Sequence, residues 1–338
     1  MQQLSNVLSF PFILLSILKG LKRQKNYLQQ RLDPLLIELE AQADKSLTAF
    51  DLQKIKKYYG YAVPGILGEG FCFLRGIELQ ANERETLTFL GAATGLYDDL
   101  FDKKQATDEH ILNLTVSPKR TKPNDFHEEV FIKFWSIALA NCQNPASLMK
   151  VAKQVYWAQI DSRKQESKEI SEQEIKSITY SKGGLSLEFY RAGLNHAPTL
   201  EESKMLYALG AIMQLENDLF DIWKDREDGI FTLATSTNKI IALRKEYENK
   251  HQELIQALAL CSFPEKNKIR FMRFVNLILH RGTVCLDCLE ECERQTGGVF
   301  KLHEYSKMQL ICDMEKPRNI WKAFKYYVAS DLSLLKKA

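Results

Sequence analysis

Acidic side chains recur in two compact runs, "YDDLFDKK" at 97–104 and "ENDLFDIWKD" at 216–225. In the first, Asp98 and Asp102 are four residues apart and share a helix face, with Asp99 turned by about 100° from Asp98. In the second, Asn217, Asp221 and Asp225 fall at i, i+4 and i+8, which stacks three oxygen donors along one stripe. Such donors suit a hard divalent cation, and Mg2+ in particular binds through a few carboxylates together with substrate phosphates. Two carboxylate walls facing each other would hold ions between them for a diphosphate to bridge. An acidic, solvated helix end is the ordinary reading of either run alone. Both runs, however, follow long apolar helices near their C-terminal ends, where the macrodipole disfavours anions and acids call for a counter-charge.

The elements that must carry these runs read as helices. Apolar residues recur at three- and four-residue spacing, and no alternating β-branched run is bounded by hairpin turns, so the expected fold class is all-α. Asn82 with Glu85 matches a capping box opening "ETLTFLGAATGLYDDLFD", and Thr199 with Glu202 opens "SKMLYALGAIMQLENDLFDIWKDRED", which Gly229 closes. That second helix is expected to run about 29 residues, or about 43 Å. Ser171 with Glu174 opens a helix that reaches "SKGGLSLEFYRAG". The glycine-rich "KYYGYAVPGILGEGFCFLRG" at 57–76 lacks the pattern of a phosphate loop and reads as a kinked helix lining a cavity, with Arg75 either a diphosphate contact or a surface residue. Loop signals such as "VSPKRTKPND" and "CSFPEK" punctuate the helices, and none resembles an interdomain linker. The expected organisation is an N-terminal apolar and basic helix at 1–30 followed by one helical domain at 31–338.

Composition narrows the classes further. Over 338 residues the net charge is +3, and no block is strongly basic, so charge does not imply nucleic acid. The seven cysteines form an odd set suited to a reducing cytosol. Cys285, Cys288 and Cys292 line one helix face, which favours packing over a zinc site whose only local fourth ligand would be His280. The N-terminal "LSNVLSFPFILLSILKGLKRQK" is interrupted by Pro11, reads as too short to span a membrane, and lacks the pattern of a signal peptide. Followed by Lys19, Lys22, Arg23 and Lys25, it either lies at a membrane surface or packs as a first helix on its own domain.

The two acidic runs resemble the aspartate-rich and NSE/DTE-type motifs of class I isoprenoid synthases, the superfamily of prenyl transferases, squalene/phytoene synthases and terpene cyclases. "QLENDLFDIWKDREDGIFTL" is similar to the squalene/phytoene synthase pattern at Gln214, Leu215, Asn217, Asp221, Asp225, Gly229 and Phe231. The same stripe also fits the terpene-cyclase motif, with Asp221 where Ser or Thr is usual and Asp225 where Glu is usual. "YDDLFDKK" resembles DDxxD with a basic pair at Lys103 and Lys104, and is also similar to the aspartate-rich variant of bacterial large-terpene synthases. "YSKGGLSLEFYRAG" falls where these families break a helix beside the substrate; a tight turn at Gly183 and Gly184, with Lys182 and Arg191 in solvent, is the plain alternative.

The resemblance covers roughly residues 50–330, with its diagnostic content in about 40 of them. It implies a helical bundle around a central apolar cavity, with Asp98, Asp99, Asp102, Asn217, Asp221 and Asp225 holding Mg2+, three ions in all with bound diphosphate. It implies diphosphate or substrate contacts at Lys182, Gly184, Arg191, Lys224 and Arg226, and cavity walls from Phe73, Tyr97 and Phe189, with Phe71, Phe89, Phe101, Tyr190 and Phe220 as further aromatic candidates. The implied reaction is ionisation of an allylic prenyl diphosphate with release of pyrophosphate, as in a terpene synthase or cyclase. Head-to-head or chain-elongating prenyl transfer competes with it, and a non-catalytic helical lipid-binding protein is a reading from another class. A cytoplasmic location, peripheral membrane contact through the N-terminus and a homodimer complete the expectations.

Overall fold

The computed structural model describes residues 2–102 and 106–336, apart from the side chain of Asp102. Lys103 and Lys104 lie outside the described residues. All regular structure among the described residues is helical. In chain order, α1 is Gln2–Glu40, α2 Ala49–Gln53, α3 Gly60–Ala62, α4 Glu69–Arg75, α5 Ala81–Asp102, α6 Asp108–Val116, α7 Phe126–Asn141 and α8 Pro145–Ser162. There follow α9 Glu172–Ala192, α10 Leu200–Phe220, α11 Ile222–Asp228, α12 Leu233–Ser236, α13 Ile240–Leu260, α14 Glu265–Gln295, α15 Lys307–Leu310 and α16 Pro317–Ala329.

The chain divides into two compact units. One comprises Met1–Phe10, Trp157–Glu188 and Thr199–Ala338; the other comprises Pro11–Tyr156 and Phe189–Pro198. The first motif belongs to the second of these and the second motif to the first.

In the unit built from Pro11–Tyr156, α5 packs along α7, and Leu87, Leu90, Leu96, Ile111 and Phe134 are fully or almost fully buried. Each such side chain contributes about 1.5–3 kcal/mol by leaving water. The expected kinked helix at 57–76 is a run in which π-helical stretches at Lys54–Tyr59 and Val63–Gly68 separate α2, α3 and α4. Beneath it the buried Gln24 amide donates to the Gly60 carbonyl at 2.8 Å, supplying a partner to backbone in this irregular stretch. Arg75 is neither a surface residue nor open to a ligand. Its guanidinium grips Glu83 in a two-pronged, buried ion pair at 2.5 and 3.0 Å.

Helix starts follow the expected chemistry at two places. The Thr199 hydroxyl accepts from the Glu202 amide, and Ser171 and Glu174 close a reciprocal box. The third start is shifted. Glu83 accepts from the Gln80 amide at 2.9 Å, while Asn82 sits inside α5 and bonds Asn195. Asn82 is diverted because a side-chain partner is in reach.

In the other unit α10, α13, α14 and α16 pack on one another around Leu206, Leu215, Leu254, Phe271, Leu286 and Tyr327. Cys285 and Cys292 are buried on α14, Cys288 is half-buried with its sulfur 3.8 Å from that of Cys312, and the His280 ring bonds the Ser330 hydroxyl instead of meeting them.

Candidate functional site

The second acidic run changes direction within itself. α10 stops at Phe220, Asp221 adopts φ −90° and ψ 5°, and α11 starts at Ile222. This corrects the expectation of one helix of about 29 residues. The stripe nevertheless survives, because the Asp221 amide still donates to the Asn217 carbonyl at 2.9 Å and the Asp225 amide to the Asp221 carbonyl at 2.8 Å. The break also moves Asp225 from a helix C-terminus into the first turn of a new helix, where the backbone dipoles favour an anion. Gly229, at φ 69°, ends α11 as expected of a residue that tolerates the left-handed conformation.

Along the stripe the Asn217 amide donates to the Asp221 carboxylate at 3.1 Å. Asn217 is exposed, and Asp221 and Asp225 are half-buried. A third acid joins them that the spacing argument overlooked. Asp218 is buried and accepts hydrogen bonds from the Gln214 amide at 2.9 Å and the Thr179 hydroxyl at 3.3 Å. Its signal was present in the sequence, since Gln214 and Asp218 stand four apart on the helix.

Asp225 and Asp218 are held above their ordinary range. Burial raises Asp225 to about 7, with the Asp218 and Asp221 charges adding to it and Lys224 and Lys182 opposing it. Burial likewise raises Asp218 to about 6; the Gln214 hydrogen bond, Lys182 and Thr179 pull it back, and Asp221 pushes it up. Carboxylates that crowd one another beside two lysines gain from a further positive charge. The donor set of the stripe, one amide oxygen and two carboxylates, fits a hard divalent cation. Among the described residues no three His, Cys, Asp or Glu side chains converge to hold a metal ion as they stand.

No protein-family model matches this chain, and no curated protein matches it significantly. The reading of the site therefore rests on its residues.

Lys182 sits on α9, whose approach to α10 is set by glycines. The helix runs unbroken through Gly183 and Gly184, so neither the expected break nor the alternative tight turn forms there. A Cβ on Gly183 would lie 2.1 Å from the Gly210 carbonyl oxygen, and one on Gly184 would lie 2.4 Å from the Tyr207 ring. Gly184, expected to face substrate, is covered by that ring. Lys224 is exposed beside Asp225. Arg226 lies over the Trp223 ring at 3.8 Å and donates to the Leu302 and Tyr305 carbonyls at 3.2 and 3.0 Å and to Glu227. Its guanidinium thereby pins the segment after α14.

The remaining candidates belong to the other unit. Asp98 is half-buried on α5, and its charge helps hold the Tyr97 and Tyr190 phenols above their ordinary range after burial, the larger cause. Asp99 pairs with Lys54 at 3.0 Å and lies 3.8 Å from the His127 ring. It lines a cavity of about 30 Å³ with Asp125, His127 and Glu128, room for a water molecule or two. Asp102 ends α5, and its side chain lies outside the described residues. The buried Arg191 donates to the His196 carbonyl at 2.8 Å. Phe73 is core, Tyr97 stacks on Phe131 at 5.5 Å, and Phe189 lies 5.9 Å from Trp135. The structure thus gathers Lys182, Asn217, Asp221, Lys224 and Asp225 around one acidic centre with Asp218.

Proposed function

We propose that the protein is a class I isoprenoid synthase that ionises an allylic prenyl diphosphate and releases pyrophosphate, a reaction of the terpene synthase type. The observation that carries this reading is the centre in which Asp218 and Asp225, both raised in pKa, stand beside Asp221, with Lys182 opposing the rise of both and Lys224 that of Asp225. Asn217, Asp221 and Asp225 would hold Mg2+, which when bound supplies positive charge to a departing diphosphate. Lys182 and Lys224 place ammonium groups beside the same acids, where a diphosphate oxygen finds hydrogen-bond donors as its negative charge grows. Asp218 sits beneath the stripe; Gln214 and Thr179 fix its carboxylate, and its charge acts on Asp225.

The test is pyrophosphate release from purified protein offered geranyl, farnesyl, geranylgeranyl and longer prenyl diphosphates with Mg2+. Release from a single substrate, lost in Asp221→Ala and Asp225→Ala variants that remain folded, supports the reading. A requirement for added isopentenyl diphosphate would make the protein a chain-elongating transferase, and a head-to-head condensed product in the organic extract would make it a squalene/phytoene synthase-like enzyme. No release with any substrate, together with retained prenyl diphosphate binding, would leave a lipid-binding protein.

A further inference from the structure

α1 is a continuous helix through Pro11, and its two faces have opposite characters. One is buried: Asn6, Ile13, Gly20, Gln24, Leu28 and Leu32 fall on a helical stripe beneath it. Within its own unit the Asn6 amide donates to the Val328 and Ser330 carbonyls at 3.1 and 3.0 Å, tying this end to α16. The opposite face is apolar and exposed. Leu4, Leu8, Phe12, Leu15 and Leu18 recur every three or four residues, with Leu8 61%, Phe12 71% and Leu15 54% exposed. One or two turns on, the same face continues as Lys19 and Lys22, and Lys25 is exposed nearby.

Burial and charge decide what covers this face. By length and composition α1 could cross a membrane, and only 17% of its apolar 18-residue window is buried. A spanning path would strip the Asn6 hydrogen bonds and expose the buried stripe, so lying flat is the arrangement that keeps every contact. The first 32 residues contain no Asp or Glu, and of their basic side chains Arg23 and Arg31 are taken by Glu69, Glu78 and Glu85. Lys19, Lys22 and Lys25 remain at the surface. An exposed apolar face ending in lysines is complementary to acyl chains beneath an anionic headgroup layer. A second copy of the same basic segment would oppose like charge to like. α16 adds an exposed Trp321 with Lys325 5.6 Å from its ring, and amphipathic rings of that kind favour headgroup depth.

We infer that the Leu4–Lys22 face of α1 docks the protein in the plane of an anionic lipid surface. The inference is independent of the catalytic reading. It is tested by floating the full-length protein with phosphatidylcholine vesicles and with vesicles containing phosphatidylglycerol. The expected result is flotation with the anionic vesicles, much weaker with the neutral ones. Each lysine at such a surface strengthens binding about fivefold, so Lys19→Glu/Lys22→Glu weakens it by on the order of 25-fold or more. Leu8→Glu/Phe12→Glu abolishes it while the helical circular dichroism spectrum is kept. No flotation with anionic vesicles, equal flotation with neutral ones, or binding untouched by both variants would overturn the inference. So would protein retained on vesicles after alkaline carbonate, which would mean a span, or a concentration-dependent dimer that Leu8→Glu/Phe12→Glu disperses without any flotation.

Discussion

Gly183 and Gly210 meet backbone to backbone, each placed so that a Cβ on one would stand 2.1 Å from the carbonyl oxygen of the other. No rotamer change relieves a clash with backbone, so Gly210→Ala must separate α9 from α10. The expected cost is about 3 kcal/mol, read as a lower urea midpoint at unchanged slope. Because Lys182 adjoins this crossing, the same variant also loses any activity that depends on the acidic centre.

The acids of that centre make stability depend on pH in an unusual sense. Asp225 at about 7 and Asp218 at about 6 in that centre, and at about 8 Glu216, which is buried on α10 outside it, all lie above their ordinary values. As pH rises from about 4, the unfolded chain gives up these protons before the folded one does, so this contribution to stability falls until about pH 8. Thermal melts in metal-free buffer are expected to show Tm declining from pH 5 to pH 8. Asp225→Asn should flatten the part of the slope below pH 7, and a slope unchanged by that variant would remove Asp225 as a source.

Adding Mg2+ gives a readout that requires no substrate. If Asn217, Asp221 and Asp225 bind the ion in the folded state alone, Mg2+ at ten times its Kd stabilises the protein by about 1.4 kcal/mol at pH 7.5. The gain should vanish in Asp221→Asn/Asp225→Asn and persist in Asp99→Asn, whose carboxylate serves Lys54. A Tm indifferent to Mg2+ would count against a metal held by the stripe in the absence of diphosphate.

Lys182 pulls both Asp218 and Asp225 downward. Lys182→Met is therefore expected to move the Asp225 titration to higher pH, followed by the carboxyl carbon resonance in NMR, and to reduce pyrophosphate release with little loss of fold.

Breaking the Arg75–Glu83 pair should be costly for a different reason. Both side chains are buried, and Arg75→Met leaves the Glu83 carboxylate without its strongest partner. A loss of about 3–5 kcal/mol in chemical denaturation is expected. A loss under 1 kcal/mol would mean that the Gln80 and Asn195 amides alone satisfy Glu83.

Helix starts at Ser171 and Thr199 and the stop at Gly229 were legible because each depends on one side chain and its immediate neighbours. The start near residue 81 was misplaced because Glu83 and Glu85 both stand at capping distance from a polar residue, and Asn195, remote in sequence, decides between them by claiming Asn82. The glycine pair at 183 and 184 has the composition of a turn, yet it serves a helix crossing visible only once α10 is beside it. Asp218 lies beneath the stripe, and a pattern of donors four residues apart selects Asn217, Asp221 and Asp225 and passes over the acid below. The π stretches before α4 have no local signature strong enough to be read from "KYYGYAVPGILG".

A π turn accommodates one residue more than the α-helix it interrupts. The segments Lys54–Tyr59 and Val63–Gly68 are thus places where chain length was increased without displacing either flank. Deleting one residue from the first, after Lys54, would restore α geometry locally and leave both flanks facing as they do, whereas the same deletion from a plain α-helix would turn one flank by about 100°. The surplus residue is in this sense slack, which the chain could lose while Lys54 still meets Asp99.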